Sequence, residues 1–111
     1  SYGGRQYRNP ATVKLFTAKD AKSKRGLGFD KPRKVKYPSF SSEISEAAFG
    51  HTGFTGTCIW ADPKEQMIFI FLSNRVHPTA SNNAFITSNV RKRIHDVAYN
   101  ALGSYQAGWG L

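Results

Sequence analysis

Two rhythms of apolar spacing divide this chain. Ile86, Val90, Ile94, Val97 and Ala101 recur at steps of four, four, three and four, the spacing of one helical face, and predict a helix over about 84–102. Arg91, Lys92 and Arg93 fall off that stripe, and Gly103 is a natural stop. Upstream, an unbroken apolar run from Met67 to Leu72 is strand-sized and apolar on both faces, as expected of a strand covered on both sides of its sheet. The Thr-, Ile- and Trp-bearing stretch 56–61 reads as its partner, and Asp62 followed by Pro63 as the turn between them. The pair makes an antiparallel hairpin over 56–74. Near the start, Asn9 before Pro10 supplies an N-cap and a first-turn proline for a short helix over 10–19. Val13 and Phe16 share its apolar face, with Ala11 and Leu15 beside them.

The rest is less regular. Residues 19–25 are too charged to bury, and Leu27 and Phe29 alternate as in a short strand over 26–30. Residues 31–48, with Pro32, Pro38 and four serines, read as a long irregular connection with at most one helical turn near 43–47. Residues 73–83 form a loop, and Tyr105 and Trp109 in the tail are placed to dock back on the body. The expected fold is α+β: an antiparallel sheet of three to four strands, packed by the long C-terminal helix and the short N-terminal one, in a single domain over residues 1–111.

Composition agrees with a packed core. Forty per cent of the residues are apolar and fourteen per cent aromatic, which argues against disorder. No apolar run approaches the ~20 residues of a transmembrane helix. The opening Ser1-Tyr2-Gly3-Gly4 has neither the charged nor the apolar region of a secretory leader, and its first residue is not Met, as in a processed or excised piece. Cys58 is the lone cysteine, so neither an internal disulfide nor a cysteine metal cluster is expected, and it reads as a small core residue. The net charge of +9 comes wholly from residues 1–36, which hold eleven Lys and Arg against two acids. A nucleic-acid surface would use such a patch. No zinc-finger spacing or aromatic RNA-binding strand accompanies it, so a solvated loop surface is the plainer reading and no nucleic-acid partner is expected.

The chemistry concentrates in residues 49–63. Gly50, His51, Thr52, Gly53, Phe54, Thr55 and Gly56 open an apolar strand, and small residues at that density suggest close approach to the backbone. Gly50-His51-Thr52-Gly53, then Phe54-Thr55-Gly56-Thr57, an apolar strand, Asp62-Pro63, a second apolar strand and Asn74-Arg75 before Pro78 resemble the C-terminal part of serine β-lactamase-related proteins. That group joins class C β-lactamases, D-alanyl-D-alanine carboxypeptidases and esterases. Leu27-Gly28-Phe29 resembles the strand preceding the family's third motif, and Gly3-Gly4, Tyr7 and Pro10-Ala11-Thr12-Val13 the helix start before it.

The family's site needs a Ser-x-x-Lys nucleophile, a Tyr- or Ser-x-Asn, and a Lys-Thr-Gly or His variant on the strand edging the cleft. The resemblance makes His51 the cation-position or proton-shuttling group and Thr52 a hydroxyl for a substrate carboxylate, with Gly53 allowing approach and Phe54 and Thr55 continuing the wall. Asn74 and Arg75 would lie on the substrate-carboxylate side. An imidazole is only partly charged at neutral pH where an ammonium is charged throughout, which weighs against tight recognition of a β-lactam carboxylate.

The other motifs are missing. No serine has a lysine three positions on. Tyr7-Arg8-Asn9 spells the second motif but falls where the helix start belongs. The chain therefore reads as a C-terminal fragment of a longer hydrolase-like domain, inactive alone, whose partner is the missing N-terminal part. The family also implies that strands from that part flank the Met67 to Leu72 strand. Without them its edge is open to self-association. His77 reads as a loop residue and His95 as a helix-flank residue, and no metal or cofactor is expected. A periplasmic, cell-envelope or extracellular setting follows from the resemblance. A non-catalytic peptidoglycan- or peptide-binding descendant and, behind it, a basic nucleic-acid module remain open as alternatives.

Overall fold

A computed structural model describes residues 1–108. The elements are α1 (Pro10–Thr17), β1 (Phe49–Thr52), β2 (Cys58–Asp62), β3 (Met67–Phe71), α2 (Ala84–Thr87) and α3 (Val90–Gly108). The strands form an antiparallel meander in the order β1-β2-β3, so the fold is α+β with a three-stranded sheet.

Local chemistry makes both turns. Between β1 and β2, Gly53 N–H donates to the Thr57 carbonyl at 2.8 Å and Gly56 N–H to the Gly53 carbonyl at 3.1 Å. Gly56 sits at φ +91°, where a side chain would be strained and would meet the Phe85 ring. Between β2 and β3, the Asp62 carboxylate accepts from the backbone N–H groups of Lys64 and Glu65, as an Asp-Pro turn should.

The register separates two faces. Cys58 pairs with Phe71, Trp60 with Phe69 and Asp62 with Met67, and this face is covered. Ser39 Oγ accepts the Trp60 indole N–H at 3.2 Å, and the Phe40 ring packs edge-on against Trp60. The Phe69 ring stacks on His95 of α3 at 4.2 Å. Polar ties fasten this layer. Asp62, buried, accepts from the Tyr99 hydroxyl and from both the hydroxyl and N–H of Ser45. His95, also buried, accepts the Ser41 N–H at Nδ1, while Asp96 takes the Ser41 hydroxyl. Residues 39–48 are irregular, as expected, and their serines bind the sheet to α3.

The opposite face carries Ile59, Ile68 and Ile70, with Leu72 just beyond the end of β3, and stays exposed. The sequence predicted β3 covered on both sides; a single layer covers it among the described residues, and Ile68 and Ile70 remain 69% and 61% exposed.

Four further expectations change. The 84–102 helix is two helices, because Asn89 turns the chain at φ +54°. The break sets Ile86 apart from the rest of the stripe, and within α3 it is His95 and Tyr99 that face the sheet while Ile94 and Val97 point outward. His95 is thus a core residue rather than a flank residue. Asp62 and Phe69 are the cause, since a buried carboxylate needs a donor and an aromatic needs a ring. Gly103 does not stop α3, which runs through it with no unusual backbone angle. Its cost inside a helix is only about 1 kcal/mol. Residues 26–30 form a turn rather than a strand, with Gly26 N–H donating to the Phe29 carbonyl at 2.9 Å and Gly28 at φ +84°. Asp30 alone pairs with β1, exchanging both backbone bonds with Gly50.

Helix α1 is capped as expected, Asn9 Oδ1 accepting the Ala11 N–H at 2.8 Å, and ends at Thr17 where Ala18 turns extended. Val13 and Phe16 share a loose cavity of about 400 Å³ with Phe29 and Phe49, and none of α1 is buried. The expected docking of Tyr105 and Trp109 rests on side chains outside the described residues.

Candidate active site

Strand β1 alternates its side chains, as every strand must. Gly50 faces the covered side, where a Cβ would land on the Ile59 carbonyl and 2.7 Å from the Trp60 indole. His51 faces the exposed side. The small residues that suggested close approach to the backbone are therefore required first by the chain itself: Trp60 occupies the space beside Gly50, and the Thr57 hydroxyl that beside Gly53.

His51 opens a shallow cleft of about 300 Å³ with Thr52, Gly53, Ile59, Ile70 and Leu72. Its Nδ1 lies 2.7 Å from the Thr52 carbonyl and its Nε2 3.4 Å from an Arg25 guanidinium nitrogen. Arg25 Nε in turn lies 2.7 Å from Asp30 Oδ1, off the line of its N–H, so the contact is a charge pair rather than an aligned hydrogen bond.

The expected site residues fall into two groups. His51, Thr52 and Gly53 line the cleft together. Phe54, Thr55 and Arg75 meet at the adjacent turn, where the Thr55 carbonyl accepts from the Arg75 N–H and the Ser73 hydroxyl, both at 2.9 Å, and the Arg75 guanidinium lies 4.9 Å over the Phe54 ring. Asn74 is exposed, and its carbonyl accepts the His77 N–H at 3.4 Å. Cys58 is a core thiol: burial pushes its pKa up, Arg91 only opposing that, which keeps it protonated and unreactive. Among the described residues, no three His, Cys, Asp or Glu gather to hold a metal, and no helix is long and apolar enough to cross a membrane.

The covered face is electrostatically settled. Burial works to raise the Asp62 carboxyl, but hydrogen bonds from Ser45 and Tyr99 outweigh it and hold the group below its ordinary range. Burial, then the bond to Asp62, pushes the Tyr99 hydroxyl up. These groups join loop to helix on the side of the sheet away from His51.

The β-lactamase family model matches residues 2–88, which contain all of β1, β2 and β3. The chain belongs to the β-lactamase family. An Escherichia coli (strain K12) protein named "Putative D-alanyl-D-alanine carboxypeptidase" is 37% identical over 78 residues, 68% of this chain and 18% of that protein. A like-named protein of Salmonella gallinarum is 32% identical over 83 residues, 73% of this chain and 19% of its own length. The chain thus spans about a fifth of the length of these curated relatives. No solved structure matches it with comparable significance.

Within this β-lactamase-family chain, Arg25 and Asp30 are the site neighbours that sequence reasoning missed. Arg25 stood in a run of cations that read as solvated loop. Its one signal was its place directly before the Gly-Leu-Gly-Phe segment.

Proposed function

We propose that this chain is the C-terminal wall of the active site of a β-lactamase-type serine hydrolase, with His51-Thr52-Gly53 as the third motif. The observation that carries the reading is the position of that tripeptide. His51 and Thr52 lie on an outer strand and Gly53 directly follows it, all three lining a cleft on the open face of the sheet, and the opposite face is filled by α3 and residues 39–48. A family nucleophile approaching that cleft would attack a substrate carbonyl. The carbonyl carbon's bond to the amide nitrogen or ester oxygen would break as that group leaves with the serine's proton, and water would then hydrolyse the acyl-enzyme to the acid and free serine. His51 would assist the proton transfers and Thr52 would offer its hydroxyl to the substrate.

The nucleophile is not in this chain, since no serine is followed by lysine three residues on. The chain alone is therefore inactive and depends on the remainder of its parent, which also covers the face bearing Ile59, Ile68 and Ile70. The relatives' name favours peptides ending in D-alanyl-D-alanine as substrates, with β-lactams and esters as the other carbonyl compounds of the class. A cell-envelope location goes with that substrate.

The test is covalent. Incubated with a fluorescent penicillin or a fluorophosphonate, the isolated chain keeps its intact mass. An adduct on any of its serines would overturn the reading.

A further inference from the structure

We propose that Arg25, held by Asp30, is the positioning cation of the His51 site, fixing His51 as a neutral imidazole protonated at Nδ1. The proposal deepens the functional reading above and rests on it for its catalytic meaning.

A carbonyl oxygen only accepts, so the 2.7 Å contact with the Thr52 carbonyl requires a proton on Nδ1. A guanidinium only donates, so the Nε2 that lies 3.4 Å from Arg25 carries a lone pair. Both contacts hold together in one state alone, the neutral Nδ1–H tautomer. Protonating Nε2 would set an imidazolium against a guanidinium with no bond between them. Arg25 contacts His51 directly and Asp30 reaches it only through Arg25; Ile59, Ile70 and Leu72, which share its cleft, carry no charge. The 2.7 Å contact with Asp30 anchors Arg25, and Asp30 is itself fixed to β1 by its two backbone bonds with Gly50.

Two roles that one lysine performs in a Lys-Thr-Gly motif are then divided here. Arg25 carries the fixed positive charge. His51 is held as a neutral ring whose Nε2 lone pair faces Arg25, and it is not itself the cation.

The experiment reads the tautomer without substrate, so its outcome is independent of whether the parent is a hydrolase. Long-range proton–nitrogen NMR on the histidine-labelled chain at pH 7.5 shows His51 predominantly as Nδ1–H. In Arg25→Gln the ratio of the two tautomers shifts about three- to tenfold towards Nε2–H, the worth of one partly exposed hydrogen bond from a charged donor. Arg25→Lys restores most of the wild-type ratio, which a merely structural role would not do. Asp30→Asn, which releases the anchor, gives a smaller shift in the same direction. A wild-type His51 that is mainly Nε2–H, or an Arg25→Gln spectrum with an unchanged ratio, overturns the proposal. In the full-length parent, catalytic loss in Arg25→Gln alongside a shifted ratio ties the tautomer to turnover. A parent that hydrolyses nothing, with the ratio still shifted, removes the functional reading and leaves the assignment of Arg25 in place.

Discussion

His95 makes folding of this chain sensitive to mild acid, and the size of the effect follows from its surroundings. The ring is 1% exposed, lies between Phe69 and Tyr99, and spends its Nδ1 lone pair on the Ser41 N–H. Nε2 then bears the proton and finds no partner among the described residues. Burial pulls its pKa from 6.5 down to about 4, against the opposing pull of Asp96 and Asp62. The folded-state value lies below the unfolded one. The unfolded chain therefore takes up a proton below pH 6.5 that the folded chain refuses. Stability is full above pH 6.5, falls as pH drops from 6.5 towards 4, and changes little further on this account below that. Asp62 and Asp96 are held below 3.8 and so act beneath this window. The full shift corresponds to about 3 kcal/mol, a large share of the margin of a small domain. Urea unfolding followed by Trp fluorescence at pH 7.5 and pH 4.5 measures it. His95→Phe keeps a ring against Phe69 and removes the titration; it begins about 1–3 kcal/mol less stable, for the orphaned Ser41 N–H, but loses little more on acidification. Equal losses in the two proteins, or a His95 ring signal titrating near pH 6.5, would refute the reasoning.

Two further expectations concern the sheet. Gly50→Ala forces a methyl onto the Ile59 carbonyl and the Trp60 ring, at about 1–3 kcal/mol for overpacking. Thermal melting should fall by roughly 4–24 °C, given about 4–8 °C per kcal/mol for a domain of this size, and an unchanged melt would show that Trp60 can yield. Ile70→Lys alters an exposed position on the uncovered face and should leave stability within about 0.5 kcal/mol. It should also abolish concentration-dependent association through β3 in sedimentation velocity; a wild-type chain that stays monomeric at every concentration contradicts that association.

Much of the fold was legible because short-range chemistry determines it. Asn9-Pro10 capped a helix, Asp62-Pro63 turned a hairpin, and the run from Met67 to Leu72 made a strand. What failed depended on distant partners. The stripe of Ile94 and Val97 is a sound helical face by spacing. The sheet instead took the face bearing His95 and Tyr99, because Asp62 and Phe69 stand there, and nothing local to α3 announces them. Ser39, Ser41 and Ser45 looked like loop filler and are the ties between Trp60, His95 and Asp62. At the candidate site, the contiguous tripeptide His51-Thr52-Gly53 stood out in the sequence, and its three residues line one cleft. Arg25 reaches His51 from 26 positions away, through a turn whose course depends on Asp30 meeting Gly50.

The central claim is that His51 serves a nucleophile lying outside this chain. Its most direct test is active-site labelling of the full-length parent with a fluorescent penicillin or fluorophosphonate, followed by peptide mapping and a comparison with His51→Ala. An adduct is expected on a serine of a Ser-x-x-Lys sequence outside these 111 residues, formed about 10²–10⁴-fold more slowly in His51→Ala, the usual worth of a proton-transfer group. An adduct within this chain, or labelling of His51→Ala at the wild-type rate, would contradict it.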